Sequence, residues 1–307
     1  MKEKCNVKLP EKFTQNILDL HAKKGGQWLN DLPDLIAEIS EKWSLSVKQP
    51  FPNLSYSYVA PCGCADGTQT VLKIGFGEED SVIFSEAGFL KLLDGNGAVK
   101  LLRFDKDYCA LLLERLIPGE NLKRICQTDD EQATRIAIEV MRRLLCKPPE
   151  TGEFPTLKNW MNGLQTAAKV SFAPRLVAKA RNYFEELSDA PEQNLLLHGD
   201  LHHENILSAE RESFLAIDPK GVIGDIGYEI GVFLNNQRRL IRTRQNLSQI
   251  LAQRVEQFAQ SFEIEPQKLR KWAFAQAVLS AWWVFEDTGT VSEKWTTYAD
   301  IWEGIGI

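Results

Sequence analysis

The segment His198-Gly199-Asp200-Leu201-His202-His203-Glu204-Asn205, followed by Ile217-Asp218, supplies a carboxylate able to take a proton, an amide and a second carboxylate. Transfer of a phosphoryl group to a hydroxyl needs such a set. The attacking hydroxyl must be aligned and relieved of its proton, while the charge on the phosphoryl group must be neutralised by metal. Asp200 at the start of a loop can accept that proton. Asn205 can offer its amide oxygen to Mg2+ from the other end of the same loop, and the Asp218 carboxylate completes an oxygen-rich site. The apolar runs Leu195 to Leu197, Ile206-Leu207 and Phe214 to Ile217 predict short buried strands that hold the loop ends and deliver Asp218 to the same edge.

Two competing readings are weaker. Asp and Asn are common turn formers, but turn chemistry alone does not account for the loop spacing, both flanking strands and the second Asp together. A zinc site would need more ligands: His202 and His203 are adjacent and point different ways, and no Cys is close in sequence. A second constellation lies upstream. Thr70-Val71-Leu72-Lys73-Ile74 alternates as a strand in which an isolated lysine sits among apolar neighbours and so needs a partner. Glu86 follows in a segment, Ser85 to Leu93, whose apolar spacing predicts a helix packed on that strand.

The segments His198 to Asn205 and Ile217-Asp218-Pro219-Lys220-Gly221 resemble the aminoglycoside phosphotransferase family, in its streptomycin 6-kinase and hydroxyurea kinase branch. The likeness continues through Gly224 to Gly231 and, near the N-terminus, through Trp28 to Pro33 and Trp43-Ser44-Leu45. It implies an α+β, bilobal protein-kinase-like fold, with a β-rich N-lobe and a mainly helical C-lobe. It also implies ATP and Mg2+ as cofactors, with Asp200 as catalytic base and Asn205 and Asp218 as metal ligands. Lys73 would hold the ATP phosphates, aimed by Glu86, and backbone groups near Glu114 and Leu116, on an edge strand, would bond adenine. The chain departs from the protein-kinase pattern in lacking a Gly-x-Gly-x-x-Gly loop before Lys73. Ser55 and Ser57 are the candidate phosphate contacts in its place, in a hairpin whose later turn is marked by Cys62 to Gly67. Asp-Phe-Gly is absent and no Ala-Pro-Glu follows Asp218, which argues against a protein substrate.

The elements that must position these groups begin with a helical pattern over residues 11 to 43. Strands are expected around 56–60, 70–74, 98–104 and 108–113, and Ile117-Pro118-Gly119 breaks the last of them as a hinge. The expected division is residues 1–116, a nucleotide-binding lobe with preceding helices, and 117–307, the catalytic and substrate-binding lobe. The later part is expected to be mainly helical, with an apolar helix through Trp272 to Phe285 whose aromatic rings belong to the core.

Composition is that of a soluble globular protein, 44% hydrophobic and 25% charged across 307 residues. No apolar run is long enough to span a bilayer, and no apolar signal segment follows Met1, so a cytoplasmic location and no membrane partner are expected. The six scattered cysteines do not read as a disulfide framework. A net charge of -6 argues against nucleic acid and for a small cationic, hydroxyl-bearing substrate, with streptomycin the one implied by the resemblance. Its guanidinium groups call for carboxylates, and the candidates are Asp225, Glu229, Glu286 and Asp287. Asp225 also reads as a helix cap. The densest basic cluster, Arg238, Arg239, Arg242 and Arg244, reads as a solvated face or lobe contact. The alternatives are hydroxyurea or another small metabolite as acceptor, and a non-catalytic nucleotide-binding pseudokinase.

Overall fold

The computed structural model describes residues 8–77, 81–150, 154–170, 172–188, 194–236 and 244–304. Arg238, Arg239 and Arg242 lie outside the described residues, as does the side chain of Arg244. The chain forms two compact units, Met1–Ile117 and Pro118–Ile307.

The first unit is an antiparallel sheet with a long helix packed on it. Helix α1 (Glu11–Trp43) buries Phe13, Ile17, Trp28, Leu32, Ile36, Ile39 and Trp43. That helical spacing of apolar side chains closes over Tyr58, Ala60, Leu72 and Ile74 of the sheet. The helical pattern is interrupted at Ala22, whose φ of 46° is not helical, so the segment is two helices across a kink. Ser44, at φ 55°, ends it in the left-handed region, and its N–H reaches back to the last turn. The strands are β1 (Leu45–Val47), β2 (Tyr58–Cys64), β3 (Gln69–Ile74), β4 (Leu101–Asp105) and β5 (Ala110–Glu114), and α2 (Ser81–Leu93) falls between β3 and β4. Their order is β1-β2-β3-β5-β4.

Two expectations change here. Cys62 and Cys64 lie within β2, and the hairpin turn that follows runs over Ala65 to Thr68, closed by Gly67 N–H donating to the Cys64 carbonyl. The sheet edges are β1 and β4, so β5 is an interior strand, hydrogen-bonded on both sides. The long apolar run of β5 reflects that double burial and does not mark an edge.

The second unit opens with β6 (Pro118–Asn121), which pairs with β8 (Ile206–Ala209), itself paired with β9 (Phe214–Ala216). A two-stranded pair joins β7 (Leu195–Leu197) to β10 (Val222–Gly224). Helices make up most of the rest: α3 (Lys123–Cys126), α4 (Asp130–Leu144), α5 (Leu157–Met161), α6 (Gly163–Lys169), α7 (Pro174–Ser188), α8 (Ile226–Leu234), α9 (Arg244–Phe262), α10 (Pro266–Thr288) and α11 (Glu293–Gly304). Helix α10 is apolar on nearly every side because α7, α8 and α11 all pack on it. Gly227 permits the approach of α8, since a Cβ there would sit 2.2 Å from Trp272 Cδ1. A buried polar hub ties the helices together: Asn235 Nδ2 donates to the Ala273 carbonyl at 2.7 Å, and Trp302 Nε1 donates to Asn235 Oδ1 at 2.7 Å.

Ile36 is 1% exposed at the centre of the first core. Ile36→Ala is expected to cost about 2–5 kcal/mol of stability, read as a lower midpoint in denaturant titration with the slope unchanged; an unshifted midpoint would contradict the packing of α1.

Candidate functional site

In the second unit the apolar strand β7 ends at Leu197 and the chain turns sharply into His198, Gly199 and Asp200. Gly199 has φ +83°, and a Cβ on it would lie 2.9 Å from Trp160 Cη2 and 3.1 Å from Val222 Cγ1, so only glycine fits. The loop then runs to Asn205, where β8 begins.

His198 is the internal bracket. Its Nδ1 accepts from the Asp200 N–H at 3.2 Å, so Nε2 carries the proton and donates to the Ile217 carbonyl at 2.9 Å. One buried ring thus links the base loop to the segment after β9 that carries Asp218. Burial drives its pKa down to about 3, which keeps it neutral and preserves that pair of bonds.

Asp200 keeps about a third of its side chain accessible, with His202 Nε2 3.7 Å from Oδ1. Burial among the loop residues raises its carboxyl above the ordinary value, while His202 and Lys220 pull it down. A carboxylate held higher than usual is a better proton acceptor near neutrality. Asn205 is 8% exposed, and its Nδ2 donates to the Asp200 carbonyl at 3.0 Å, which leaves the amide oxygen as the atom it can offer to a cation. The Asn205 carbonyl accepts from the Ile217 N–H at 2.9 Å, so Asp218 follows directly beside it. Asp218 sits at φ 61°, a left-handed conformation that Asp tolerates better than most residues. An amide oxygen and a carboxylate are the hard donors that Mg2+ takes, and this set fits that ion.

Glu229 is corrected as a substrate contact. It is 2% exposed, and its two oxygens accept from Gly199 N–H at 2.8 Å and Leu201 N–H at 3.1 Å, on either side of Asp200. Its side chain points beneath the loop, because two buried amide donors need acceptors. Desolvation pushes its carboxyl up to about 7, against the pull of those donors. Asp225 caps α8, accepting from Gly227 N–H at 2.7 Å, and pairs with Lys268 at 2.8 Å. Glu286 and Asp287 are exposed on the last turn of α10, and partial desolvation raises the Asp287 carboxyl.

Sequence reasoning missed Trp160. It stands half-buried against Gly199, edge-on to Tyr228 at 5.9 Å and to Trp283 at 5.7 Å, an aromatic cluster against the base loop. Nothing in its local sequence signals this. The fold also brings Cys126 and Asp130 to within 4.8 Å of a His203 nitrogen, partners that the spacing did not show. Arg254 already supplies the positive charge there, with Nε 3.0 Å from Asp130 Oδ2 and Nη2 3.4 Å from Cys126 Sγ.

In the first unit Lys73 Nζ meets Glu86 Oε2 at 2.5 Å, with the two residues 6% and 1% exposed. Lys73 pairs across the sheet with Val59, and Ser57 stands two residues before Val59 in the β1–β2 connection. Ser55 is exposed in that connection, where its carbonyl accepts from Asn16. The expectation for Glu114 is corrected: its N–H donates to the Lys100 carbonyl at 2.9 Å, because β5 lies inside the sheet. Leu116 lies past the strand end, half-buried and outside any regular element.

A family model described as aminoglycoside/hydroxyurea antibiotic resistance kinase matches residues 42–288. The chain is 25% identical to a streptomycin 6-kinase of Streptomyces griseus, over 94% of each chain. It is 30% identical to a hydroxyurea phosphotransferase of Kitasatospora aureofaciens, over 92% of this chain and 81% of that one. Among solved structures it resembles choline kinase LicA of Streptococcus pneumoniae, with a TM-score of 0.61 and 16% identity over 90% of this chain and 99% of the other. It also resembles aminoglycoside phosphotransferase APH(4)-Ia, with a TM-score of 0.60 and 14% identity over 89% and 99%. The fold is therefore α+β and protein-kinase-like.

Glu229→Gln replaces one acceptor with a donor and leaves a buried N–H of the loop without a partner, at about 1–3 kcal/mol. A reduced turnover number is expected, with little change in thermal stability near neutral pH because removal of a buried charge offsets the lost bond. In the unaltered protein protonation of Glu229 has a similar local effect, so turnover should fall as pH drops through about 7, and Glu229→Gln should lose that limb of the pH profile. The stability contribution runs the other way: a carboxyl whose folded pKa is raised contributes most in acid and loses that contribution as pH rises towards 7. An unchanged pH profile in Glu229→Gln would refute the bracing role.

Proposed function

Because the chain belongs to the aminoglycoside/hydroxyurea antibiotic resistance kinase family, and is thus a small-molecule phosphotransferase, we propose that it moves the terminal phosphoryl group of ATP to a hydroxyl of a cationic antibiotic, the 6-hydroxyl of streptomycin. The observation that carries this reading is the placement of Asp200. It is accessible, raised in pKa and held on a loop whose backbone is fixed from below by Glu229 and from the side by His198.

In this reading Asp200 orients the acceptor hydroxyl and takes its proton. Asn205 and Asp218 would hold Mg2+, which when bound neutralises phosphate charge. In the first unit Lys73 is the phosphate-binding ammonium, kept extended by Glu86, and Ser55 and Ser57 are the candidate hydroxyl contacts. Adenine recognition falls to backbone groups near Leu116, since the Glu114 N–H is already committed. Trp160 and the accessible carboxylates Glu286 and Asp287 are the groups offered to a guanidinium-bearing acceptor.

Similarity to streptomycin 6-kinases supports the acceptor, and similarity to hydroxyurea phosphotransferase supports hydroxyurea as the second reading. Among the described residues no helix is long and apolar enough to cross a membrane.

Purified protein with Mg-ATP should release nucleoside diphosphate in a streptomycin-dependent way and yield antibiotic carrying one phosphoryl group. Asp200→Ala should lower turnover by roughly 10²–10⁴-fold with the fold retained. Stimulation by hydroxyurea and not by streptomycin would transfer the assignment to the smaller acceptor, and full turnover in Asp200→Ala would remove Asp200 as base. Asp218→Ala should raise the Mg2+ concentration needed for half-maximal turnover, and an unchanged metal dependence would remove Asp218 as a ligand.

A further inference from the structure

Lys220 stands in the turn Asp218-Pro219-Lys220-Gly221, between β9 and β10. The turn is rigid. Lys220 N–H donates to the His198 carbonyl at 2.7 Å and Gly221 N–H donates to the same oxygen at 3.1 Å. Gly221 adopts φ +67°, and Pro219 is buried. The root of the lysine is thereby placed over Gly199, where a Cβ would lie 3.4 Å from Lys220 Cβ, one residue before Asp200. Its Nζ lies 3.2 Å from Asp218 Oδ2, and its charge is felt at Asp200 as well.

This ammonium is therefore held against the metal-binding carboxylate, near enough to the base for its charge to act there. Its pairing with Asp218 does little for stability, since the two side chains are 31% and 36% exposed and pairs of that kind contribute little. A compact, partly exposed ammonium on a fixed turn, beside the metal-binding carboxylate, suits a phosphate oxygen. We propose that Lys220 binds the terminal phosphoryl group of the nucleotide, a role that rests on the phosphotransferase reading. In the transfer the acceptor oxygen bonds to the terminal phosphorus, and the bond from phosphorus to the bridging oxygen breaks. The electron pair leaves with the nucleoside diphosphate, and the hydroxyl proton passes to Asp200. Lys220 stays protonated throughout and donates to the non-bridging oxygens, where negative charge must be held as the group moves.

A nucleotide-binding experiment tests this without any acceptor. Calorimetric titration in Mg2+ with the β,γ-imido analogue of ATP and, separately, with ADP compares ligands that differ in the terminal phosphoryl group. Lys220→Met is expected to weaken the triphosphate analogue by roughly tenfold or more and leave ADP affinity unchanged, and Lys220→Arg should recover most of the loss. Equal weakening of both ligands would mean that Lys220 acts only by supporting Asp218, and no weakening of either would remove it from the site; each overturns the proposal. An unchanged thermal midpoint in Lys220→Met keeps the comparison free of folding effects. If the unaltered protein binds neither nucleotide, the phosphotransferase reading fails and this inference with it. Selective loss in Lys220→Met together with no phosphorylation of streptomycin would confirm the inference and overturn only the acceptor.

Discussion

The carboxylate of Glu229, buried at the start of α8 and shared between the Gly199 and Leu201 amides, is the constraint on which the second unit's chemistry depends. A loop that must present a base cannot also satisfy its own backbone by regular pairing, so its amide donors need acceptors from elsewhere. Placing a carboxylate there is costly, as the rise of its pKa to about 7 shows. The two charge-assisted bonds offset part of that cost and fix the backbone on both sides of Asp200. Helix α8 is in turn seated by its approach to α10 through Gly227 and by the Asn235 hub, so the position of the base is set by helix packing well below the loop.

The site is built from short pieces whose ends are tied to one another. His198 holds Asp200 with one nitrogen and Ile217 with the other, and its carbonyl collects the N–H groups of Lys220 and Gly221. Asn205 spends its amide nitrogen on the Asp200 carbonyl and its own carbonyl on Ile217. A displacement of any one of these segments would shift the base, the metal-binding donors and Lys220 together. The first unit uses a different device. There an ion pair, Lys73 with Glu86, brings a counter-charge to a lysine buried in the sheet.

The corrected assignments share one cause. Glu229 reads as a substrate carboxylate because a guanidinium-bearing acceptor calls for carboxylates, yet α8 is buried along its length. Glu114 reads as an edge position because the resemblance sets adenine against that strand, but β4 returns to pair outside β5. In both cases the residue type is informative and its direction is not. Trp160 is the converse: a tryptophan on a five-residue helix, ordinary in sequence, that packs against the base loop only because Gly199 has no side chain.

What the sequence by itself determined is local in origin. The loop from Asp200 to Asn205, its flanking apolar strands, Asp218 and the lone Lys73 in an alternating strand are all legible, because their chemistry depends on spacing along one strand or one loop. The apolar periodicity of residues 11 to 43 and the largely apolar run of Trp272 to Phe285 are legible for the same reason. Only the tertiary structure decided which groups meet from distant segments: Glu229 under Gly199, Lys220 over it, Trp160 against it, and His203 beside Cys126 and Asp130. Those encounters are set by how helices and short strands pack, and packing depends on the shapes of both partners, which no spacing within one segment records.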